Sequence, residues 1–357
     1  MTLKKYRMGV IGLGEGRSII SAALQSDRWE LVNVCDINEG ACKSRMAEFG
    51  LPRYTLSYDD LLHDSDIDVI AIYTPDQLHR RHMIQAFEAG KHVIVTKPMM
   101  TSLDGVHELS KAAEASGKQL FVGQSSRFFE PMIHQRSDYL AGRHGEIDTV
   151  EAYYIADSRW FLDKGWSRQK GFSWMYNFLI HAVDLAVWYL PEIEEVFGYG
   201  HSSSNNKAYG LDVPDTMRFL MKDSSGRIAT VGGSYTKPTL DSIDPGISCT
   251  LRGTNGTSRA AYPKLLYHTN FNPEGPVTHS FQERHPYYFR FEGESHHAGE
   301  YQNYIDYFAE CLDRGETPKP DLKEGIRTLA IVAAMERSLD KGLPVKVSDI
   351  LSDEGDV

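Results

Sequence analysis

Short runs of apolar residues recur through the first third of the chain, and amphipathic stretches separate them. Arg7 to Gly12, Glu30 to Cys35, Asp68 to Tyr73, Val93 to Val95 and Leu120 to Val122 read as strands, the later ones apolar on both faces. Between them the pattern predicts helices over Ser18–Gln25, up to Phe49 before Gly50, from Tyr58, over Leu78–Ala89 before Gly90, and over Ser102–Ser116 behind a Thr101 cap. Strands separated by helices of about 10–15 residues predict a parallel sheet. Beyond a crossover at Gln124–Pro131 and a helix over Pro131–Ala141 the pattern changes. Asp148–Ile155, Thr216–Met221, Ile228–Ser234 and Ile247–Arg252 read as strands, with turns at Asp223–Gly226 and Gly253–Gly256, the signature of antiparallel pairing. One long apolar helix runs from Trp174 to Leu190, and further helices are predicted at Tyr301–Leu312 and Lys323–Leu339.

The first strand ends in Gly12-Leu13-Gly14-Glu15-Gly16-Arg17, a helix follows, and the second strand closes on Asp36. That order is the arrangement of a dinucleotide site. Gly12 permits the tight turn, and Gly14 lets the backbone approach a pyrophosphate resting on the helix N-terminus. Asp36 lies 22 residues past Gly14, where its carboxylate can accept from both ribose hydroxyls and would repel a 2′-phosphate; NAD is favoured over NADP. The third glycine of the usual spacing would fall at position 17, where Arg17 stands; Gly16 comes one residue early. The expected fold is therefore α/β: an N-terminal Rossmann dinucleotide-binding domain over residues 1–124, then a C-terminal α+β domain over 125–357 with a large, mostly antiparallel sheet, for substrate binding and oligomerisation.

The chain has 357 residues, 41% hydrophobic and 24% charged, and carries a formal net charge of −11. That excess of acid argues against nucleic acid or an anionic membrane as a partner. No window of about 18 apolar residues predicts a membrane-spanning helix. The basic start, Met1 to Arg7, leads into a short strand and a glycine turn rather than a signal-peptide core. Cys35, Cys42, Cys249 and Cys311 have no metal spacing and read as buried free thiols, which suits a reducing, cytoplasmic compartment. His296-His297 precedes a helix without acid–histidine spacing, and no metal is expected.

Two further stretches carry chemistry. Val93-Ile94-Val95 ends in Thr96-Lys97-Pro98, which sets Lys97 at the carboxyl end of a strand, where open α/β sheets gather ligands. Burial there would lower its pKa toward neutral proton transfer; a solvated or acid-paired lysine is the alternative. In the long apolar helix, Asn177, His181 and Asp184 stand at i, i+4 and i+7, on one face, and three polar groups on a buried helix must be satisfied or used.

Tyr73-Thr74-Pro75-Asp76-Gln77-Leu78-His79, followed by Ala89-Gly90-Lys91-His92-Val93-Ile94-Val95-Thr96-Lys97-Pro98, resembles the Gfo/Idh/MocA oxidoreductases, which include glucose–fructose oxidoreductases and inositol dehydrogenases. The resemblance covers essentially the whole chain. It implies that Thr74, Pro75, His79, Lys97 and Gln124 line the cofactor, with a purely packing role for His79 also open. It implies that Arg127, Trp166, Arg168, Asn177 and His181 face the substrate beside Lys97. The sequence departs from the family pattern where Thr96 replaces a glutamate, Asn177 an aspartate and Leu179 a glycine, and where the glycine run becomes Gly171-Phe172-Ser173. Asn177 carries no transferable proton, so Lys97 and His181 are the acid–base candidates, with Asp184 orienting His181 or anchoring the helix. Tyr153, Trp160 and Trp166 form an aromatic wall against a sugar ring or belong to the core. The implied function is an NAD-dependent dehydrogenase of a sugar, sugar derivative or cyclitol, acting as a homodimer or homotetramer through the C-terminal sheet. An NAD-dependent glycosidase of the same fold and a non-catalytic dinucleotide sensor are the alternatives.

Overall fold

A computed structural model of the protein describes residues 4–164, 168, 171–240, 244, 246–291 and 298–353. The apolar runs of the first third become β1 (Tyr6–Ile11), β2 (Trp29–Cys35), β3 (Tyr54–Thr55), β4 (Val69–Ile72), β5 (His92–Thr96) and β6 (Leu120–Gly123). The helices between them are α1 (Arg17–Gln25), α2 (Glu39–Phe49), α3 (Tyr58–Leu62), α4 (His79–Glu88) and α5 (Val106–Ser116). The strands form one six-stranded parallel sheet in the order β3-β2-β1-β4-β5-β6. Val69–Ile72 and Val93–Val95 are wholly buried, as central parallel strands covered on both faces must be. The order turns about between β1 and β4, which places the ligand crevice of such a sheet at the carboxyl ends of these two strands. Asn38 caps α2 with its side chain, and Gly50, at φ +64°, ends it. The predicted start of α5 at Ser102 is corrected: Gly105 sits at φ +74°, which a right-handed helix interior excludes, so the helix begins at Val106.

The remainder of the chain supplies α6 (Glu130–Leu140), β7 (Ile147–Ile155), α7 (Arg159–Leu162), α8 (Ile180–Tyr189), β8 (Ile193–His201), α9 (Ser204–Ala208), β9 (Thr216–Asp223), β10 (Ile228–Ser234), β11 (Gly246–Gly253), β12 (Gly256–Tyr262), β13 (Leu266–Phe271) and β14 (Gly275–Ser280). After these come α10 (His285–Tyr288), α11 (Gly299–Arg314), α12 (Leu322–Lys341), β15 (Val345–Lys346) and α13 (Val347–Asp353). Nine strands form the second sheet, β14-β13-β12-β11-β7-β10-β9-β8-β15, antiparallel apart from the β7–β10 pair. Its register lines up Cys249, Ala152, Val231 and Phe219 on one buried face, against which α8 packs. The other face carries Tyr153, Arg218, Leu220 and Tyr199. Past Tyr262, where the sequence reading names no strand, lie β13 and β14; Pro263, Pro273 and Pro276 break up a strand pattern that Leu266–Phe271 otherwise keeps. The long apolar helix is also not uniform, for Met175–Leu179 is a π-helical segment that runs into α8.

The chain divides into two compact units, Met1–Phe128 with Pro286–Arg327, and Phe129–His285 with Thr328–Val357. The sequence reading put everything past 124 in the second domain, whereas α11 belongs to the first. Tyr304, Ile305, Phe308 and Ala309 make an apolar stripe on α11 and join a core with Ile19, Ile20, Trp29 and Phe121. The indole N–H of Trp29 donates to the carbonyl of Ile305 at 3.0 Å, and the Trp29 and Phe308 rings stack at 6.3 Å. Burying each large apolar side chain contributes about 1.5–3 kcal/mol, so the stripe decides where this helix docks regardless of its place in the sequence.

Candidate functional site

The three glycines after β1 have different physical reasons to be there. Gly12 has φ +88°, and a Cβ on it would lie 2.4 Å from the carbonyl oxygen of Tyr73. A Cβ on Gly16 would lie 2.2 Å from the carbonyl oxygen of Gly12. Around Gly14 there is no heavy atom within 4 Å of such a Cβ. Gly12 and Gly16 are therefore demanded by the turn, and Gly16 fulfils one residue early the close-packing role of a third glycine. Gly14 is demanded by nothing among the described residues, and the space over it can admit a ligand. Arg17 turns away to Glu48, its Nε 2.7 Å from Oε1, and lies over the ring of Phe291 at 4.2 Å. Asp36 holds the turn: Oδ2 accepts from the Leu13 N–H at 2.8 Å and Oδ1 from the Asn38 N–H at 2.9 Å. Ile37 beside it is 93% exposed, an apolar surface next to the carboxylate and suited to a purine face. The glycine turn, the N-terminus of α1, Asp36 and Ile37 together fit the pyrophosphate, ribose and adenine of a dinucleotide.

The other sequence-derived residues of this unit gather at the ends of β4, β5 and β6. Thr74 and Pro75 follow β4, Lys97 follows β5, and Gln124 follows β6. Thr96 pairs with Gly123, so Lys97 and Gln124 leave adjacent strands side by side. Lys97 is half-buried. Gln124 is 3% exposed, and its Oε1 has no hydrogen-bond partner among the described residues. A buried acceptor left unpaired costs about 1–3 kcal/mol, and a carboxamide N–H from a ligand would remove that cost. His79 is fully buried, Nε2 lying 2.7 Å from the Thr74 carbonyl oxygen and Nδ1 2.8 Å from that of Pro98. Both ring nitrogens are spent on backbone, which supports the packing role, of the two that the sequence left open, over a cofactor contact. His82, not singled out from the sequence, stands one turn later with Nδ1 3.0 Å from Thr74 Oγ1, and burial pushes its pKa down to about 4.

Some motif letters prove architectural. Lys91 is buried with Nζ on the carbonyls of Asp64 and Ile67, at 2.7 and 2.8 Å; burial lowers its pKa. His92 Nδ1 accepts from the Gln119 N–H at 3.1 Å, and burial pushes this ring also down to about 4. Arg127, expected at the substrate, is 2% exposed and donates from Nη1 to Glu324 Oε2 at 3.1 Å, inside the first unit.

In the second unit, Asn177 and His181 are 8% and 7% exposed and Asp184 is fully buried. The i→i+5 bonding of the π segment widens the turn, so Asn177 does not stand one regular α-turn before His181. π segments of this kind cluster at functional sites. Alternation along β7 separates the two tyrosines. Tyr154 meets His181 edge-on at 5.8 Å, whereas Tyr153 faces the other side, under the Arg218 guanidinium at 5.6 Å. Tyr153, expected in an aromatic wall against a sugar ring or in the core, thus lies on the sheet face away from α8, and Tyr154 is the tyrosine that meets His181. Trp160 is 40% exposed with Lys164 over its ring at 4.9 Å, and Arg168 is exposed. Trp166 and the pair His296-His297 lie outside the described residues. Cys35, Cys42, Cys249 and Cys311 are free and buried, and burial raises each thiol, Cys35 to about 12. Among the described residues no cluster of His, Cys, Asp and Glu could hold a metal, and no helix is long and apolar enough to cross a membrane.

Comparison with known proteins agrees with this geometry. Residues 6–124 match the family model described as oxidoreductase family, NAD-binding Rossmann fold, and residues 142–347 match the model for its C-terminal alpha/beta domain. A 1-carboxy-3-chloro-3,4-dihydroxycyclo hexa-1,5-diene dehydrogenase of Comamonas testosteroni is 30% identical over 152 residues, covering 42% of this chain and 38% of its own. A scyllo-inositol 2-dehydrogenase (NAD(+)) of Bacillus subtilis is 26% identical, covering 96% of each chain. A levoglucosan dehydrogenase solved with NADH and levoglucosan shares the fold, with a TM-score of 0.83, 20% identity, and coverage of 96% of this chain and 99% of its own. With an open glycine turn, an acid at the end of β2 and a lysine at the end of β5, matched by family models across both units, the chain belongs to the Gfo/Idh/MocA family of oxidoreductases and carries its NAD-binding Rossmann domain.

Proposed function

We propose that the protein is an NAD-dependent dehydrogenase that oxidises a secondary hydroxyl of a sugar, sugar derivative or cyclitol. The observation that carries this reading is the placement of Lys97 and of Gln124, whose Oε1 has no partner among the described residues, at neighbouring strand ends, on the same sheet edge as the open glycine turn. Bound NAD would supply the acceptor for the hydride. Gln124 Oε1 would accept from the carboxamide and fix the orientation of the nicotinamide. Lys97 would take the proton of the reacting hydroxyl, with His181 the second acid–base group. Asn177 can donate and accept hydrogen bonds but cannot carry that proton. Asp36 favours NAD over NADP, because a 2′-phosphate would meet its charge.

The exposed residues Tyr199 (71%), Leu220 (52%) and Ile228 (42%) on the open face of the second sheet support a homodimer or homotetramer built through it. A cytoplasmic location accords with four unpaired thiols. The test is a panel of sugars and cyclitols followed at the NADH absorbance band, with NAD and NADP in parallel. Reduction of NAD by one stereochemical class is the expected result. Aglycone release without net NADH would replace this reading with the glycosidase, and bound nicotinamide that no substrate reduces would replace it with the sensor.

A further inference from the structure

One buried ring ties the ends of β4 and β5 together. The two atoms facing His79, the carbonyl oxygens of Thr74 and Pro98, only accept hydrogen bonds. A charged imidazole donates to both; a neutral one donates to whichever oxygen faces its single N–H. The ring is fully buried, so its own nitrogens are out of reach of water. Pro98 directly follows Lys97, and Thr96, directly before it, is fixed in the ladder with Gly123. The lysine backbone is thus held on both sides, by strand pairing before it and by the histidine after it. The Thr74 side is braced as well: Tyr58 donates to the His82 carbonyl at 2.9 Å, its ring meets that of His82 at 4.8 Å, and His82 reaches Thr74 Oγ1.

We propose that His79 is the positioning residue for Lys97, setting the lysine against the β4 end through the Pro98 carbonyl. The proposal rests on Lys97 acting at the reacting hydroxyl, yet the placement of the lysine can be read without turnover. The side-chain geometry supplies paired variants. An asparagine amide nitrogen occupies the place of Nδ1 and keeps a donor to Pro98. A glutamine amide nitrogen occupies the place of Nε2 and keeps only the donor to Thr74. A phenylalanine keeps neither.

The lysines of wild type, His79→Asn, His79→Gln and His79→Phe would be ¹³C-methylated reductively, and the Lys97 signal assigned by its loss in Lys97→Arg. Its chemical shift would be followed against pH. The expected result is a wild-type Lys97 titration in the asparagine variant and a displaced one in the glutamine and phenylalanine variants. With a substrate in hand, the glutamine variant should lose about 10²-fold in kcat, the scale of a small misplacement of a reacting group. The asparagine variant should recover most of that loss, and NAD affinity should stay level in both. Asparagine and glutamine variants that move the signal equally, or leave it where it was, would overturn the proposal, and those two decide even if the phenylalanine variant fails to fold. A wild type that reduces no NAD would refute the dehydrogenase reading, while the Lys97 signal would still decide the role of His79.

Discussion

The two units hold their reactive groups by different means. In the first, Lys97, Gln124 and Thr74 stand at strand ends, and their positions follow from backbone ladders and one buried histidine. In the second, Asn177, His181 and Asp184 stand on a helix whose first turns are π-helical, and their positions follow from side-chain packing against β7, β10 and β11. A ladder fixes a residue whatever its side chain; packing fixes it only while the neighbours keep their shapes. The family letters survive accordingly. Around Lys97 only Thr96 departs, whereas the helical motif loses its aspartate at Asn177, a glycine at Leu179 and part of its glycine run.

The largest effect that would sharpen this contrast is expected at Lys97. Lys97→Ala should lower turnover by about 10²–10⁴-fold, the range for removing a proton-transfer group, with NAD affinity almost unchanged by titration. Equal activity would remove the lysine from the reaction. Next come the glycines. Gly12→Ala should cost about 3 kcal/mol in denaturant unfolding, from the left-handed φ and the overlap with Tyr73. Gly14→Val should leave the unfolding midpoint in place and weaken NAD binding. If both variants lost stability alike, the space over Gly14 would be structural after all. His181→Asn should lower turnover by about 10-fold to 10²-fold, less than the lysine variant; a loss as large as that of Lys97→Ala would erase the difference between the units.

Acidification should weaken both units. Burial holds His82 and His92 in the first unit and His144 in the second down to about 4. An unfolded histidine titrates near ~6.5, so as pH falls the unfolded chain takes up these protons first. Stability should therefore be flat above that value and decline from there toward pH 4, where the folded rings begin to protonate. Thermal unfolding across this range measures the decline, and His144→Phe should make it shallower. The smallest effect concerns the sheet: Tyr153→Ala should shift stability by under about 0.5 kcal/mol, while Tyr154→Ala should cost about 3 kcal/mol. Reversed magnitudes would put Tyr153, not Tyr154, against the helix.

The parallel sheet was legible because a covered strand between helices has few other readings, and Val93–Val95 left no polar residue to argue otherwise. The glycine turn was legible as a site, but the separate reasons for Gly12, Gly14 and Gly16 were not: Gly12 meets the Tyr73 carbonyl some sixty residues on, Gly16 meets the Gly12 carbonyl only once the turn is folded, and Gly14 meets nothing within 4 Å among the described residues. His79 stayed open between a cofactor contact and a packing role because its spacing from Thr74-Pro75 was visible and its second partner, the Pro98 carbonyl, was not. Tyr153 was named without a register to show which sheet face it takes. The return of α11 to the first unit escaped because nothing local to Tyr304 or Phe308 names the core they fill.

That return has a consequence for how the molecule is made. The six parallel strands are complete by residue 123, yet Trp29 and Phe121 lack part of their cover until Tyr304 and Phe308 arrive. On the ribosome the first core stays open while some 180 further residues emerge. A chain cut at residue 285 would contain every strand of that sheet and still expose its aromatic side. The cofactor-binding half is thus not a module that can be lifted out at the family boundary; the span to excise is 1–128 joined to 286–327.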